Sequence, residues 1–589
     1  MCRIAGIISK KSQELENSIT AMRDVMHRGG PDSAGIFIDE SAHLAFGHRR
    51  LSLIDLSDAG AQPMHSDSGD VTIVFNGEIY NYETLKEELK AHGYSFRTHS
   101  DTEVIIKAYE QWGTGCFAKF KGMFAIALYD KRKAELILAR DQSGIKPLYY
   151  YQDKEQLIFA SEIRAFKALN KNWETNSSWK IYFLTYGYLP EPVTTLKRVQ
   201  PLEKGTFLRF NINTYTSVKE TFYKDVYTDT IQSLDEARNI IKETLIQAVQ
   251  RHLIADAPIG LFLSGGIDSS LLTLIAKDFK KDDLHTLSIV FNDKNYSEKY
   301  YQDIIVEKSG SEHQSFVLDK DIFLDALPDI FEAMDQPSAD GINTYFISKF
   351  AKASGLKAVL SGLGADELLG GYTSFKKSSF VNKSKLLPAR LYSMAEMSPK
   401  YKYRKLSFLQ RKDPVGEYLF NRGYFSRQST SQLLDVDITE IDKALEKISV
   451  PNSISNLNEG NRVSYLESNL YMQSQLLKDT DVMSMWHSIE VRVPFLDIDF
   501  IRAVHRISPV LKFGNKQGKF LLIDAFKDIL PREIWDRNKQ GFVFPFRNWI
   551  TADNSLITSK NPVATTNYQN GKLDWSRYWT YIISDIFKG

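Results

Sequence analysis

From about residue 225 the chain alternates helix and strand with a regularity that few folds accommodate. Ile259–Leu263 is a buried apolar run, Ser269–Phe279 a helical one, and His285–Phe291 a strand. Tyr296–Lys308 reads as helix, His313–Leu318 as strand, Thr344–Ala353 as helix and Lys357–Leu360 as strand. This order is expected to form a parallel, doubly wound sheet with helices on both faces. Beyond about residue 385 the pattern is mostly helical.

The first third follows another rule. Val71–Phe75, Met123–Tyr129, Glu135–Ala139 and Leu157–Ala160 are short apolar or alternating runs, parted by turn signals such as Asp141-Gln142-Ser143-Gly144. Two helices interrupt them, Glu14–Met26 and Glu83–His92, the second with Leu85 and Leu89 one turn apart. Stacked antiparallel sheets are expected here. A chain of 589 residues exceeds one hydrophobic core, so at least two domains are needed. Pro201–Gly205 reads as the end of the first, giving expected domains over 2–215 and 225–589.

Charge narrows the range of partners. Lys and Arg total 74 against 73 for Asp and Glu, so no whole-protein field draws the chain to nucleic acid or to an acidic membrane. A balanced total can still hide local basic patches. No run of about 18 apolar residues suggests a membrane span, and the N-terminal apolar run is too short for a signal peptide. Cys2 and Cys116 are the only cysteines, too few for a disulfide framework or a Cys-rich metal site. A reducing cytoplasm and small-molecule partners are expected.

Cys2 follows Met1 directly. With that Met removed, it would carry a thiol nucleophile beside a free α-amine, whose ordinary pKa of about 7.7–8.0 suits a general base. A cysteine beside the start codon can also be accidental. Other residues favour chemistry: Asn76-Gly77-Glu78, read as a turn straight after a strand, offers an amide side chain and a glycine N–H to a developing oxyanion. Arg50 and Asp101 offer opposite charges for the carboxylate and ammonium of a free amino acid. Each has an ordinary alternative: Asn-Gly is a common hairpin turn, Arg50 a surface cation, Asp101 a helix cap.

Together Cys2, His27-Arg28-Gly29-Gly30-Pro31-Asp32, Arg50-Leu51-Ser52, Asn76-Gly77-Glu78-Ile79-Tyr80-Asn81 and Ser100-Asp101 resemble the class II glutamine amidotransferase domain in order and spacing. The resemblance implies an N-terminal-nucleophile αββα fold that hydrolyses glutamine through a γ-glutamyl thioester on Cys2. It assigns Asn76 and Gly77 to the oxyanion hole, and Arg50, Glu78 and Asp101 to the glutamine backbone groups. The doubled Gly29-Gly30, where many members have one Gly, departs from the pattern and is expected to alter only a loop.

A second site follows the strand ending at Leu263. Ser264-Gly265-Gly266-Ile267-Asp268-Ser269 runs from a strand into a helix, leaving backbone amides and a helix N-terminus for a phosphate. Asp268 among them fits a Mg²⁺ bridging to that phosphate. The Gly-Lys-Ser/Thr of a Walker A loop is absent. A second loop, Ser361-Gly362-Leu363-Gly364-Ala365-Asp366, also follows a strand, and Asp366 is a second candidate Mg²⁺ ligand or a helix-capping carboxylate.

These loops resemble the pyrophosphatase loop of adenylating enzymes, and behind a class II glutaminase domain they resemble the asparagine synthetase family. Met483-Ser484-Met485, Glu490-Val491-Arg492-Val493-Pro494-Phe495-Leu496-Asp497 and Lys516-Gln517-Gly518-Lys519 extend the match over nearly the whole chain. The resemblance implies ATP-driven formation of an acyl-adenylate and its amidation by tunnelled ammonia. Leu263, Ile289 and Gly362 would line the adenosine pocket, and Lys519 would stabilise the charged transition state. Homodimers are frequent in the family.

Three departures concern the acceptor. Leu363 stands where asparagine synthetases typically carry Glu, Asp340-Gly341-Ile342-Asn343-Thr344 differs from their Thr-rich segment, and Arg537-Asn538-Lys539-Gln540-Gly541-Phe542 is similar to relatives near polysaccharide or peptide modification. Aspartate is the expected acceptor. The alternatives are the same chemistry on a uronic-acid sugar or a peptide carboxylate, and, from another class, a scaffold that binds glutamine or nucleotide without turnover.

Overall fold

The computed structural model describes residues 2–587 apart from 12–13, 170, 294, 385–387, 399–400, 538–543 and 551–561. The N-terminal strands are β1 (Arg3–Ser9), β2 (Ser33–Asp39), β3 (Leu44–Arg50), β4 (Met64–His65), β5 (Val71–Ile79) and β6 (Gly122–Asp130). They continue with β7 (Glu135–Arg140), β8 (Tyr149–Gln152), β9 (Gln156–Ala160), β10 (Gln200–Pro201), β11 (Thr206–Asn211) and β12 (Thr216–Thr221). One sheet runs β10-β8-β9-β1-β3-β2 and the other β12-β11-β7-β6-β5-β4. The pairings are antiparallel throughout, as the alternating runs lead one to expect.

The sheets face each other across one apolar layer. Ile4, Phe46 and Phe159 of the first pack with Val74, Leu136 and Leu208 of the second. The helix Leu15–Asp24 buries Ile19 and Met22 against the outer face of the first sheet. The helices Tyr82–Ala91 and Asp101–Trp112 cover the second with Leu85, Leu89 and Ile105. The layers are therefore αββα.

The C-terminal half holds β13 (Ile259–Phe262), β14 (His285–Val290), β15 (Glu312–Val317), β16 (Ala358–Leu360) and β17 (Glu490–Arg492). Their order is β15-β14-β13-β16-β17 and every pairing is parallel. β13 sits at the centre, and the chain leaves it first toward one edge and later toward the other. The crevice at that change of direction, outside the strand C-termini, is where a ligand is received.

Two expectations need correction. Pro201–Gly205 does not end the first domain, because β11 pairs with β7 and with β12, carrying the second sheet to Thr221 and past the expected limit at 215. Asn76-Gly77-Glu78 is not a turn but the interior of β5, opposite Ala125, Phe124 and Met123 of β6. The tail is mostly helical as expected, and among its described residues the one strand is β17, whose three residues are too few to show a period.

Candidate functional site

The register of β1 on β3 pairs Arg3 with Arg49, which sets Cys2 at the edge of the sheet beside Arg50. Cys2 is 8% exposed. Burial pushes its thiol up, opposed by the Leu51 backbone and the charge of Arg50. Arg50 is buried rather than a surface cation, and its guanidinium donates to the carbonyls of Ser57, at 2.7 Å, and Asp55.

Asn76 is fully buried, with its amide 3.5 Å from Ser161 Oγ and its Oδ1 without a partner among the described residues. Such an amide has bonding capacity left for a ligand. Gly77 is required sterically: a Cβ there would lie 2.1 Å from the Met123 carbonyl oxygen. Asp101 opens the helix Asp101–Trp112 but does not cap it, since Ser100 accepts from the Thr102 N–H. Instead Asp101 Oδ2 accepts from the Ile79 N–H at 3.0 Å, and burial pushes its carboxyl up to about 6.

Glu78 makes a contact that its sequence position does not announce. Arg492, 414 residues later, donates to Glu78 Oε1 at 2.6 Å and to Glu490 Oε1 at 2.8 Å. Its other nitrogen donates to the carbonyls of His252 and Ile254 at 2.6 and 2.7 Å. Arg492 is fully buried and its charge is held by two carboxylates. A second buried link joins Arg3 and Lys146 of the N-terminal half to Asp481, at 2.9 and 3.1 Å. Arg492 lay inside a quoted motif, but no spacing rule pairs it with Glu78.

The other site opens at the C-termini of β13 and β16. A cavity of about 1380 Å³ is lined by Leu263, Ser264, Gly266, Asp268, Ser269, Ile289, Ser361, Gly362, Asp366 and Lys519. Gly265 turns the first loop at φ 80°, a left-handed conformation that favours glycine. Ser269 Oγ accepts from the Ser264 N–H at 3.1 Å and closes that loop onto the helix Ile267–Lys280. Gly362 lets the two loops approach, for a Cβ there would lie 2.7 Å from Asp268 Cβ.

Lys519 reaches this point from the C-terminal half, 4% exposed, with Nζ 2.5 Å from both Asp268 Oδ2 and Asp366 Oδ1. Burial opposes its charge, but the two carboxylates overcome that and hold the ammonium firmly protonated. Two carboxylates thus converge on one cation. No cluster of three His, Cys, Asp or Glu suited to a metal occurs among the described residues.

Arg537 also belongs to this site, donating to the Gly265 carbonyl at 2.9 Å and pairing with Glu298 at 2.9 Å. The rest of the motif it begins, residues 538–542, lies outside the described residues. Leu363, between Gly362 and Gly364, lines the same cavity, as do Asp340, Asn343, Thr344 and Arg422.

Residues 1–223 match the family model of the glutamine amidotransferase domain, and 241–561 that of asparagine synthase. The glutamine-hydrolysing asparagine synthetase 1 of Bacillus subtilis is 33% identical over 566 residues, covering 93% of this chain and 88% of the relative. The chain belongs to the asparagine synthetase family. A putative glutamine-hydrolysing asparagine synthetase of Mycobacterium tuberculosis is 31% identical over 577 residues, covering 94% of this chain and 88% of the relative. The amidase chry2 of Gibberella zeae is 28% identical over 594 residues, covering 91% and 86%. As an asparagine synthetase-type enzyme the chain is a glutamine-dependent amidotransferase, a ligase whose family uses ATP. Among the described residues no helix is long and apolar enough to cross a membrane.

Proposed function

We propose that the enzyme adenylates a carboxylate with ATP and converts it to an amide with ammonia drawn from glutamine, aspartate being the acceptor and asparagine the product. The convergence of Lys519, Asp268 and Asp366 on one point between two glycine-bearing loops carries this reading.

In the N-terminal half, the Cys2 sulfur attacks the glutamine amide carbon, ammonia leaves, and water hydrolyses the thioester to glutamate. Asn76 and the Gly77 N–H hold the oxyanion. Arg50 receives the substrate carboxylate and Asp101 its ammonium. Glu78, already fastened to Arg492, positions that end of the substrate and ties it to the second half.

In the C-terminal half, an acceptor carboxylate oxygen attacks the α-phosphorus of ATP and pyrophosphate leaves. Ammonia then attacks the acyl carbon, AMP departs, and the new amide loses a proton. The amides of Ser264 to Ser269 hold the pyrophosphate end, Ser361 supports the facing loop, and Leu263, Ile289 and Gly362 bound the adenosine. Lys519 stabilises the charge that builds on phosphate. Asp268 and Asp366 would hold a Mg²⁺, which supplies charge neutralisation to the polyphosphate. Ammonia passes between the halves internally, the first ending after β12 and the second beginning near residue 225. A homodimer in a reducing cytoplasm completes the reading, and both cysteines are free thiols.

One observation favours a second acceptor. Leu363 puts an apolar side chain into the cavity wall where family members typically carry a carboxylate, and Arg422 of the same lining is already paired with Glu467 at 2.9 Å. A larger carboxylate, on a uronic-acid sugar or a peptide, fits that wall. The test is to incubate the enzyme with glutamine, ATP and Mg²⁺, with and without aspartate, and to quantify asparagine and AMP. Equimolar asparagine and AMP support the aspartate reading; glutamate without aspartate-dependent AMP refutes it in favour of another acceptor.

A further inference from the structure

The near-zero net charge conceals one strongly biased stretch. Residues 373–412 contain 11 Lys and Arg and a single acidic residue, Glu396. Glu396 does not offset them at the surface: it is buried and accepts from the Gln428 N–H at 2.9 Å. Lys376, Lys377, Lys383, Arg390 and Lys412 are exposed.

The same stretch exposes several large apolar side chains close together in sequence. Phe380 is 56% exposed, Met394 67% and Met397 78%, and Leu391 and Tyr403 are exposed as well. Leu391, Met394 and Met397 recur every three residues along and just past the helix Ala389–Glu396, so they share one side. The opposite side is anchored. Tyr392 is buried with Val381 and Leu409, and its hydroxyl donates to the Ser384 carbonyl. The apolar side therefore faces outward because its reverse is packed.

This stretch also adjoins the nucleotide cavity. The helix Thr373–Ser384 begins there, and Tyr372, Ser374 and Lys376 line the cavity itself. The mechanism above uses none of the exposed side chains.

The combination selects the occupant. A soluble polyanion would satisfy the cations and leave Leu391, Met394 and Met397 in water. A second copy of the chain would bring the same positive charge against itself. An anionic bilayer accepts both, with cations at its headgroups and apolar side chains at the acyl boundary. We propose that the exposed cationic and apolar side chains of the helices Thr373–Ser384 and Ala389–Glu396, with Met397, dock the enzyme peripherally on an anionic lipid surface, beside its nucleotide cavity. This inference does not depend on which carboxylate is amidated.

The test is sedimentation of the full-length enzyme with vesicles of phosphatidylcholine, or of phosphatidylcholine with roughly one third phosphatidylglycerol. Most of the protein is expected with the anionic vesicles and little with the neutral ones, and raised salt should weaken binding by about tenfold. Met394→Ser/Met397→Ser and Lys377→Glu/Lys383→Glu should each reduce binding by about fivefold or more. Both variants should keep wild-type glutaminase activity, which reports that they fold. Absence of binding to anionic vesicles overturns the proposal. So does wild-type binding by the methionine variant, because a purely electrostatic surface would then suit a soluble polyanion.

Discussion

Lys519 is buried between Asp268 and Asp366, and that geometry separates a working charge from a solvated one. Replacing it with Met would leave two facing carboxylates without their counter-charge and remove a phosphate ligand. AMP formation by Lys519→Met is expected to fall by about 100-fold or more, with glutaminase changed less than about threefold. Parallel loss of both activities in a folded variant would contradict the assignment. Asp101 gives a pH handle. Its carboxyl titrates near 6 because it is buried, and only the ionised form can hold an ammonium group. With the charged form present above that value, kcat/KM for glutamine should fall on acidification through about pH 6. A profile flat to pH 5 would count against its role. Chemistry made most of these residues legible: a thiol beside an amine, opposite charges for an amino acid, carboxylates near glycine loops. Environment was not legible. Asn76 and Gly77 have the composition of a turn, and only the β6 partners show that they continue a strand.

Elements were legible where their period was long enough to repeat. The alternation after residue 225 is borne out as four parallel strands with helices between, the inner β13 and β16 being short buried apolar runs. β1 to β4, β8, β10 to β12 and β17 are not among the strands read from the sequence, and three of them show why. β10 has two residues, β12 is a polar edge strand, and β17 has three residues inside a helical region. Two glycines show how tightly the elements bind function to packing. A Cβ on Gly77 would press on the backbone of β6, which cannot yield cheaply. Gly77→Ala should destabilise the N-terminal half by about 1–3 kcal/mol, read as a lower denaturation midpoint. Gly362→Ala would press on Asp268 at the loop crossing, and is expected to raise KM for ATP while sparing glutaminase. An unchanged KM for ATP would show that the loops have slack.

At the scale of the molecule, Arg492 is a fully buried tie between the halves. It neutralises Glu78 from one and Glu490 from the other, and it fills its remaining donors with carbonyls. Arg492→Met would leave Glu78 and Glu490 buried without the guanidinium between them, at a cost of about 3–5 kcal/mol. Burial already holds Glu78 well above the usual carboxylate range, while Arg492 helps to hold Glu490 below it; losing the guanidinium raises both, so the penalty should shrink as pH falls and the carboxyls take up protons. Thermal unfolding from pH 5 to pH 8 should show the gap from wild type widening toward alkaline pH. A gap independent of pH would mean that the carboxylates find other partners. Contacts of this kind depend on residues hundreds of positions apart, and no local pattern carries them.

The central claim is that two separate sites share one intermediate, ammonia. Its most direct test is AMP formation by Cys2→Ala, measured with the accepted carboxylate and either glutamine or ammonium chloride as nitrogen donor. The account expects no glutamine-dependent product and near wild-type ammonia-dependent product, since the thiol touches only the first reaction. Loss of both in a folded variant, or persistence of the glutamine-dependent reaction, would contradict it.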